Sequence, residues 1–239
     1  MRTLADALND AGFDPKPYGY ASTKAPIAEL AKQLAKDVAA DHRQRPVYAV
    51  THSLGGIILR CAPVAGIQWK RIVMLAPPNV GSAMAAALGG VAFETVFGPA
   101  GSALGAARDD PKVWPYPPAP FAVIAGTRRR SWLTPSSWIS SRVFGDVDHD
   151  GTVTVEETKL PGMAAFETVN ASHTTIMHDR HVHELTVSFL RHGYFVEPPA
   201  APPPDDEPVT RPSVDAAGSE LTAAGEQPTS SVRRRRRNG

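Results

Sequence analysis

The chain has 239 residues, of which 42% are hydrophobic and 21% are charged, so it is long enough for an ordinary globular domain with a core. Its 25 basic and 24 acidic residues nearly cancel, so the overall charge gives no reason to expect a nucleic acid partner. The single cysteine, Cys61, excludes an intrachain disulfide framework and a multi-cysteine metal site. No apolar run reaches the roughly 18 residues of a membrane span, and no signal peptide is recognisable, so we expect a cytoplasmic protein without a transmembrane segment.

Helices and strands are predicted to alternate along the first 196 residues. Apolar periodicity, or a position directly after a strand, predicts four helices: 4–11, 26–41, 55–61 and 179–192. Short apolar segments rich in β-branched or aromatic residues predict four buried strands: 46–50, 71–75, 121–125 and, more weakly, 166–169. This alternation predicts an α/β fold, with a mostly parallel sheet covered by helices.

Two segments do not follow this alternation of helices and strands. Residues 82–113 are rich in alanine and glycine with scattered apolar side chains, which fits a cap or lid of short helices, although packing of these helices on the sheet fits equally well. Residues 197–239 hold eight of the 23 prolines, no aromatic residue and a final run of five arginines. We therefore predict a folded domain over 1–196 and a disordered proline-rich tail over 197–239.

A candidate nucleophile lies between the first buried strand and the helix after it. The segment Thr51-His-Ser-Leu-Gly55 has the strand–turn–helix setting of a nucleophile elbow, with Thr51 in place of the more usual glycine. Such a turn would expose the Ser53 hydroxyl and aim the Leu54 backbone N–H at an oxyanion. His52, inside the elbow, is expected to point away from the working side of Ser53.

A serine nucleophile needs a base, and the base needs an acid that orients it. Asp150 follows the strand at 121–125, and His173 follows the last predicted strand. The chain order Ser53, Asp150, His173 is the order found in α/β-hydrolases. These three residues are the predicted catalytic triad.

Four motifs in this order resemble the α/β-hydrolase lipase and esterase family, and especially bacterial triacylglycerol-lipase-like proteins related to the GPI inositol-deacylase group. The motifs lie at residues 50–56, 73–82, 150–163 and 172–174. The resemblance implies hydrolysis of a carboxylic ester by the Ser53–Asp150–His173 triad. It also implies that the 76–82 loop, including Pro78 and Asn79, forms a wall of the substrate site beneath a lid.

The sequence departs from this family at its start. Family members begin with a buried strand ending in His-Gly, which lies beside the nucleophile strand and donates the first oxyanion N–H. That strand is not found, and only the Leu54 N–H remains. The explanations are a wrongly assigned start codon, a truncated and failing gene, or rearranged strands, and we favour the first.

Asp150 also belongs to a second sequence pattern, which would give it a different role. Residues 146–157 also fit a calcium-binding EF-hand loop, with these candidate ligands: Asp146, Asp148, Asp150, Thr152 and Glu157. The context argues against it, since Pro161 and Gly162 arrive four residues after Glu157 and residues 152–155 look β-like. We therefore favour no metal or other cofactor, and calcium remains the alternative.

Two functional hypotheses result. The first is a serine hydrolase that cleaves a small-molecule or lipid ester through an acyl-enzyme on Ser53. The second is a non-catalytic hydrolase-like fragment, or a calcium-responsive binding module that uses the 146–157 loop.

Overall fold

The structure of the protein is a computed structural model that describes residues 2–21, 24–42, 45–87, 90–107, 113–129 and 143–196, with only the backbone described at 90–97. All of these residues belong to one compact unit, Met1–Glu197. The predicted tail at 197–239 lies outside the described residues.

A parallel four-stranded sheet forms the centre of this unit. Its strands are paired in chain order and are β1 (Pro46–His52), β2 (Gln68–Leu75), β3 (Phe121–Gly126) and β4 (Ala165–Val169). All four were predicted, although β1 and β2 are longer than their apolar centres indicated. The predicted α/β fold with a parallel sheet is confirmed.

The helices connect and cover these strands. Their bounds are α1 (Arg2–Asp10), α2 (Ile27–Asp41), α3 (Leu54–Cys61), α4 (Ala83–Ala87), α5 (Gly90–Ala106), α6 (Val155–Thr158) and α7 (Arg180–His192). Gly12, at a φ of 83°, follows α1, and Asp179 caps α7 by accepting hydrogen bonds from two backbone N–H groups. The β-like interpretation of 152–155 holds only for Thr154, which forms an antiparallel bridge with His149; Thr154 also caps α6 through a capping box with Glu157.

Alternate residues of the strands bury their side chains against two helical layers. Val73 and Leu75 of β2 lie in the cluster that contains α1 and α7, whereas Ile72 and Met74 lie in the cluster beneath α3. The sheet is therefore covered on both faces, as a parallel sheet requires. Among the described helices, none is both long and apolar enough to cross a bilayer.

The segment after β2 joins the core. Met84 and Ala85 of α4 and Leu104 of α5 pack in one apolar cluster with side chains of α2 and α3. A backbone break at Gly98, which has a φ of 70° and precedes Pro99, divides α5. These contacts show packing against the neighbouring helices, and the covering of the site by a lid stays a prediction.

Strand β1 has a neighbour on one side only within the described part of the chain. Ser53 donates its backbone N–H to Leu75 O at 2.9 Å, so the backbone groups of Val50 and His52 face the opposite edge. Every residue of β3 is buried, whereas most residues of β1 are partly exposed. A groove of about 480 Å³ runs beside β1, between α1 and α2. The strand implied there by the resemblance is not among the described strands.

Phe189 tests the packing of α7 on the sheet, because its side chain is 0% exposed in the cluster that joins α7 to β2 and β3. We expect Phe189→Ala to lower the free energy of unfolding by about 3–5 kcal/mol, since it leaves a cavity in the core. Val64→Ala is the control, because Val64 is 54% exposed and its truncation should cost less than about 0.5 kcal/mol. Equal denaturation midpoints for the two variants would contradict this packing.

Candidate functional site

Ser53 lies at a strained turn between β1 and α3. Its φ of 53° and ψ of −128° are unusual for a residue with a side chain, and the strand on one side and the helix on the other hold it there. The Leu54 backbone N–H, in the first turn of α3, has no hydrogen-bond partner within the described part of the chain. The turn thus has the geometry predicted for a nucleophile elbow.

Two glycines after Ser53 allow this turn to pack closely. A Cβ atom on Gly55 would lie 3.8 Å from Thr51 Cβ and 3.2 Å from the Tyr20 hydroxyl. A Cβ atom on Gly56 would lie 2.6 Å from Met74 Cε. The distance to Thr51 is an ordinary van der Waals contact, so the close approaches are those of Gly55 to Tyr20 and of Gly56 to Met74.

The structure brings the three predicted triad residues together. His173 Nε2 lies 2.8 Å from Ser53 Oγ, and His173 Nδ1 lies 2.7 Å from Asp150 Oδ2. The three residues come from loops at the carboxyl ends of different parallel strands, where such loops meet. The line of contacts runs from carboxylate to imidazole to hydroxyl.

Hydrogen bonds hold the Asp150 side chain in place. It is nearly fully buried, and its Oδ1 accepts the backbone N–H groups of Thr152 and Val153 at 2.9 and 2.8 Å. An ionised carboxylate only accepts, so Nδ1 of His173 carries the proton of the neutral ring. Nε2 is then free to accept the Ser53 hydroxyl proton, which is the arrangement of a general base.

Gly126, the last residue of β3, was missed by the sequence analysis. A Cβ atom there would lie 2.5 Å from Ala171 O and 2.8 Å from Asp150 Cβ. The absence of a side chain lets the loop that carries Asp150 approach the loop that carries His173. The available signal was a glycine directly after a buried strand, which can mark a close backbone approach.

The expected orientation of His52 was wrong. Its ring packs against the ring of His173, with centroids 4.8 Å apart, and its Nε2 lies 2.8 Å from the backbone oxygen of His173. His52 therefore contacts the predicted base, because the loop after β4 crosses the carboxyl edge of the sheet to the end of β1.

The 76–82 loop is anchored to the nucleophile helix. Asn79 is fully buried, donates to Thr158 O and accepts from Arg60, which lies in α3 and also donates to Trp114 O. Burial lowers the pKa of Arg60 to about 10. Asn79 thus anchors the loop, and a substrate contact by Asn79 or by Pro78, which is also buried, stays a prediction.

The alternative calcium ligands are not gathered around one point. The Glu157 carboxylate accepts the backbone N–H groups of Ala83 at 2.5 Å and Thr154 at 2.8 Å, and Asp148 lies 3.2 Å from Arg129. Among the described residues, no group of three or more acidic, histidine or cysteine side chains is arranged to hold a metal ion. The 146–157 loop instead positions Asp150 and begins α6.

Comparison with solved structures identifies the fold. Over 64% of this chain and 69% of the other, the structure is similar to the lipase BlEst2 of Bacillus licheniformis in mature form, with 21% identity and a TM-score of 0.52. A metagenomic carboxyl esterase, MGS0156, is similar over 63% of this chain and 52% of its own, with 18% identity and a TM-score of 0.53.

A third similar structure is phospholipase PlaB from Legionella pneumophila in complex with thio-NAD. The similarity covers 80% of this chain and 57% of that one, with 16% identity and a TM-score of 0.52. No family model and no curated protein matches the chain. The chain thus has an α/β-hydrolase fold, and it spans from about half to just over two thirds of these three proteins.

Gly126→Ala tests the close approach of the two loops. The added methyl group would meet backbone and Cβ atoms that cannot swing away, so we expect a loss of roughly 1–3 kcal/mol in the free energy of unfolding. Gly19→Ala is the matched control, because a Cβ atom at Gly19 meets nothing within 4 Å. An unchanged denaturation midpoint for Gly126→Ala would show that the loops do not need this contact.

Proposed function

We propose that the protein is a serine hydrolase that cleaves carboxylic esters through an acyl-enzyme on Ser53. The observation that carries the proposal is the continuous line of contacts from Asp150 through His173 to Ser53, at 2.7 and 2.8 Å. The strained turn at Ser53 supports it, since backbone strain of this kind clusters at active sites. The three similar structures are those of a lipase, an esterase and a phospholipase, which favours ester substrates.

The proposed reaction begins when Ser53 Oγ forms a bond to the ester carbonyl carbon. His173 Nε2 takes the hydroxyl proton, while Asp150 stabilises the resulting imidazolium. The carbonyl electron pair moves to oxygen, which the Leu54 N–H then binds. The tetrahedral intermediate collapses, and the leaving alkoxide takes the proton from His173. Water, deprotonated by His173, then attacks the acyl-enzyme carbonyl carbon. The bond from that carbon to Ser53 Oγ breaks, Oγ takes the proton back from His173, and the acid is released.

The open edge of β1 supports a second part of the proposal. A strand paired along this edge would satisfy the outward backbone groups of Val50 and His52. As the resemblance implies, the loop after such a strand would bring a second N–H to the oxyanion. Loss of one oxyanion donor costs about 100- to 1,000-fold in kcat.

Extending the reading frame upstream tests this second part. If the upstream sequence encodes an apolar strand ending in His-Gly, the longer protein should turn over an activated ester about 100- to 1,000-fold faster than the 239-residue chain. A stop codon directly upstream of the Met1 codon would contradict a strand encoded there.

Covalent labelling tests the nucleophile. We expect a fluorophosphonate probe to label the wild-type protein and Ser188→Ala, because the Ser188 hydroxyl is remote from the triad and donates to Tyr194 O. Ser53→Ala should remain unlabelled, as shown by mass spectrometry of the intact protein. Labelling of Ser53→Ala at the wild-type rate, or no labelling of the wild type, would contradict the proposal.

The role of Asp150 is tested by a nearly isosteric change. Asp150→Asn keeps the shape of the side chain but no longer fixes the tautomer of His173 or stabilises its cation, so we expect kcat to fall by up to about 10⁴-fold. Asp179→Asn is the control, since Asp179 caps α7 and contacts none of the three residues. Turnover of p-nitrophenyl esters by Asp150→Asn at the wild-type rate would exclude the orienting role.

The same assay separates the two functional hypotheses. Ester turnover by the 239-residue chain, unchanged by a calcium chelator, is the expected result. A binding module without catalysis would show no turnover, and a calcium-responsive protein would give a heat of binding with calcium that Asp146→Ala abolishes. A preference for long-chain over short-chain esters would assign the lipase type.

A further inference from the structure

His52 is placed to act on the proposed base. It is the last residue of β1 and directly precedes Ser53. The nucleophile and a side chain that contacts His173 therefore come from adjacent residues. Its ring lies 4.8 Å from the ring of His173, at an angle of 46°, and its Nε2 lies 2.8 Å from the backbone oxygen of His173.

The direction of this hydrogen bond follows from its partner. A carbonyl oxygen only accepts, so Nε2 of His52 carries a proton and donates it. Burial, together with the charge of the neighbouring His173, lowers the pKa of His52 to about 4. Near neutral pH, His52 is therefore an uncharged donor with its proton on Nε2, and it adds no second cation beside His173.

The backbone of His173 is then held on both sides. Its N–H donates to Asp150 O at 2.9 Å, and its C=O accepts from His52 at 2.8 Å. The first contact ties the base to the loop that carries the acid, and the second ties it to the strand that carries the nucleophile. The ring of His52 also limits how far the ring of His173 can turn.

We propose that His52 is a positioning residue that sets the distance and angle between His173 Nε2 and Ser53 Oγ. This inference rests on the function proposed above. His52 touches neither Ser53 Oγ nor Asp150 in any described hydrogen bond, so it acts through His173 alone. A misplaced base slows proton transfer after the ester is bound, so kcat should change while KM does not.

A pair of substitutions separates positioning from packing. His52→Phe keeps an aromatic ring against His173 but removes the donor, whereas His52→Gln restores an N–H donor at the end of a side chain of similar reach. We expect His52→Phe to lower kcat by about 10- to 100-fold with KM unchanged, and His52→Gln to recover most of the loss. Thermal unfolding of both variants shows whether either is destabilised.

His183→Phe is the matched control, because His183 makes the same kind of bond, from Nε2 to Met177 O at 3.0 Å, away from Ser53. It should leave kcat unchanged. Wild-type kcat in His52→Phe would overturn the proposal. Equal losses in His52→Phe and His52→Gln, matched by equal falls in melting temperature, would also overturn it and assign a structural role.

A measurement without substrate keeps this proposal separate from the proposed function. The downfield proton resonance of His173 Nδ1–H reports whether the ring is held against Asp150. It should be present in the wild type and in His52→Gln, and broadened in His52→Phe. If the wild type shows neither turnover nor probe labelling, the proposed function fails, while this resonance still decides whether His52 positions His173. An unchanged resonance in His52→Phe would overturn the positioning role.

Discussion

Parallel pairing of the four strands is the constraint on which the site depends. Because β1, β3 and β4 run in the same direction, the segments that follow them emerge at one edge of the sheet. Ser53 directly follows β1, Asp150 lies on the connection after β3, and His173 follows β4. Ser53 and His173 are 120 positions apart in the chain. Even so, His173 lies within 3 Å of both Ser53 Oγ and Asp150 Oδ2.

Close packing then converts this shared edge into a defined geometry. Gly126 leaves room for the acid loop to touch the base loop, and Gly56 leaves room for Met74 beneath α3. Hydrogen bonds from the Thr152 and Val153 backbone orient the Asp150 carboxylate before any substrate arrives. Such preorganisation is what general base catalysis requires, since small displacements of the reacting groups cost large factors in rate.

The loop at 146–157 shows how one pattern can fit two functions. Its alternating aspartates match a calcium loop, but the structure pairs Asp150 with His173 and uses the Glu157 carboxylate to bind the backbone of Ala83 and Thr154. Carboxylates engaged in this way are not free to converge on one ion. The spacing of the acidic residues shows which of them could bind calcium. The hydrogen-bond partners of their carboxylate oxygens decide what the loop does.

The sequence predicted the four strands, the parallel α/β arrangement and the candidates Ser53, Asp150 and His173, because periodicity and the position of a residue after a strand are local properties. It did not reveal Gly126, His52 or the buried anchor formed by Asn79 and Arg60. Those roles depend on which loops meet across the sheet, and such contacts join residues more than a dozen positions apart. The folded chain was therefore needed to show that His52 faces the proposed base and that Asn79 is enclosed by protein.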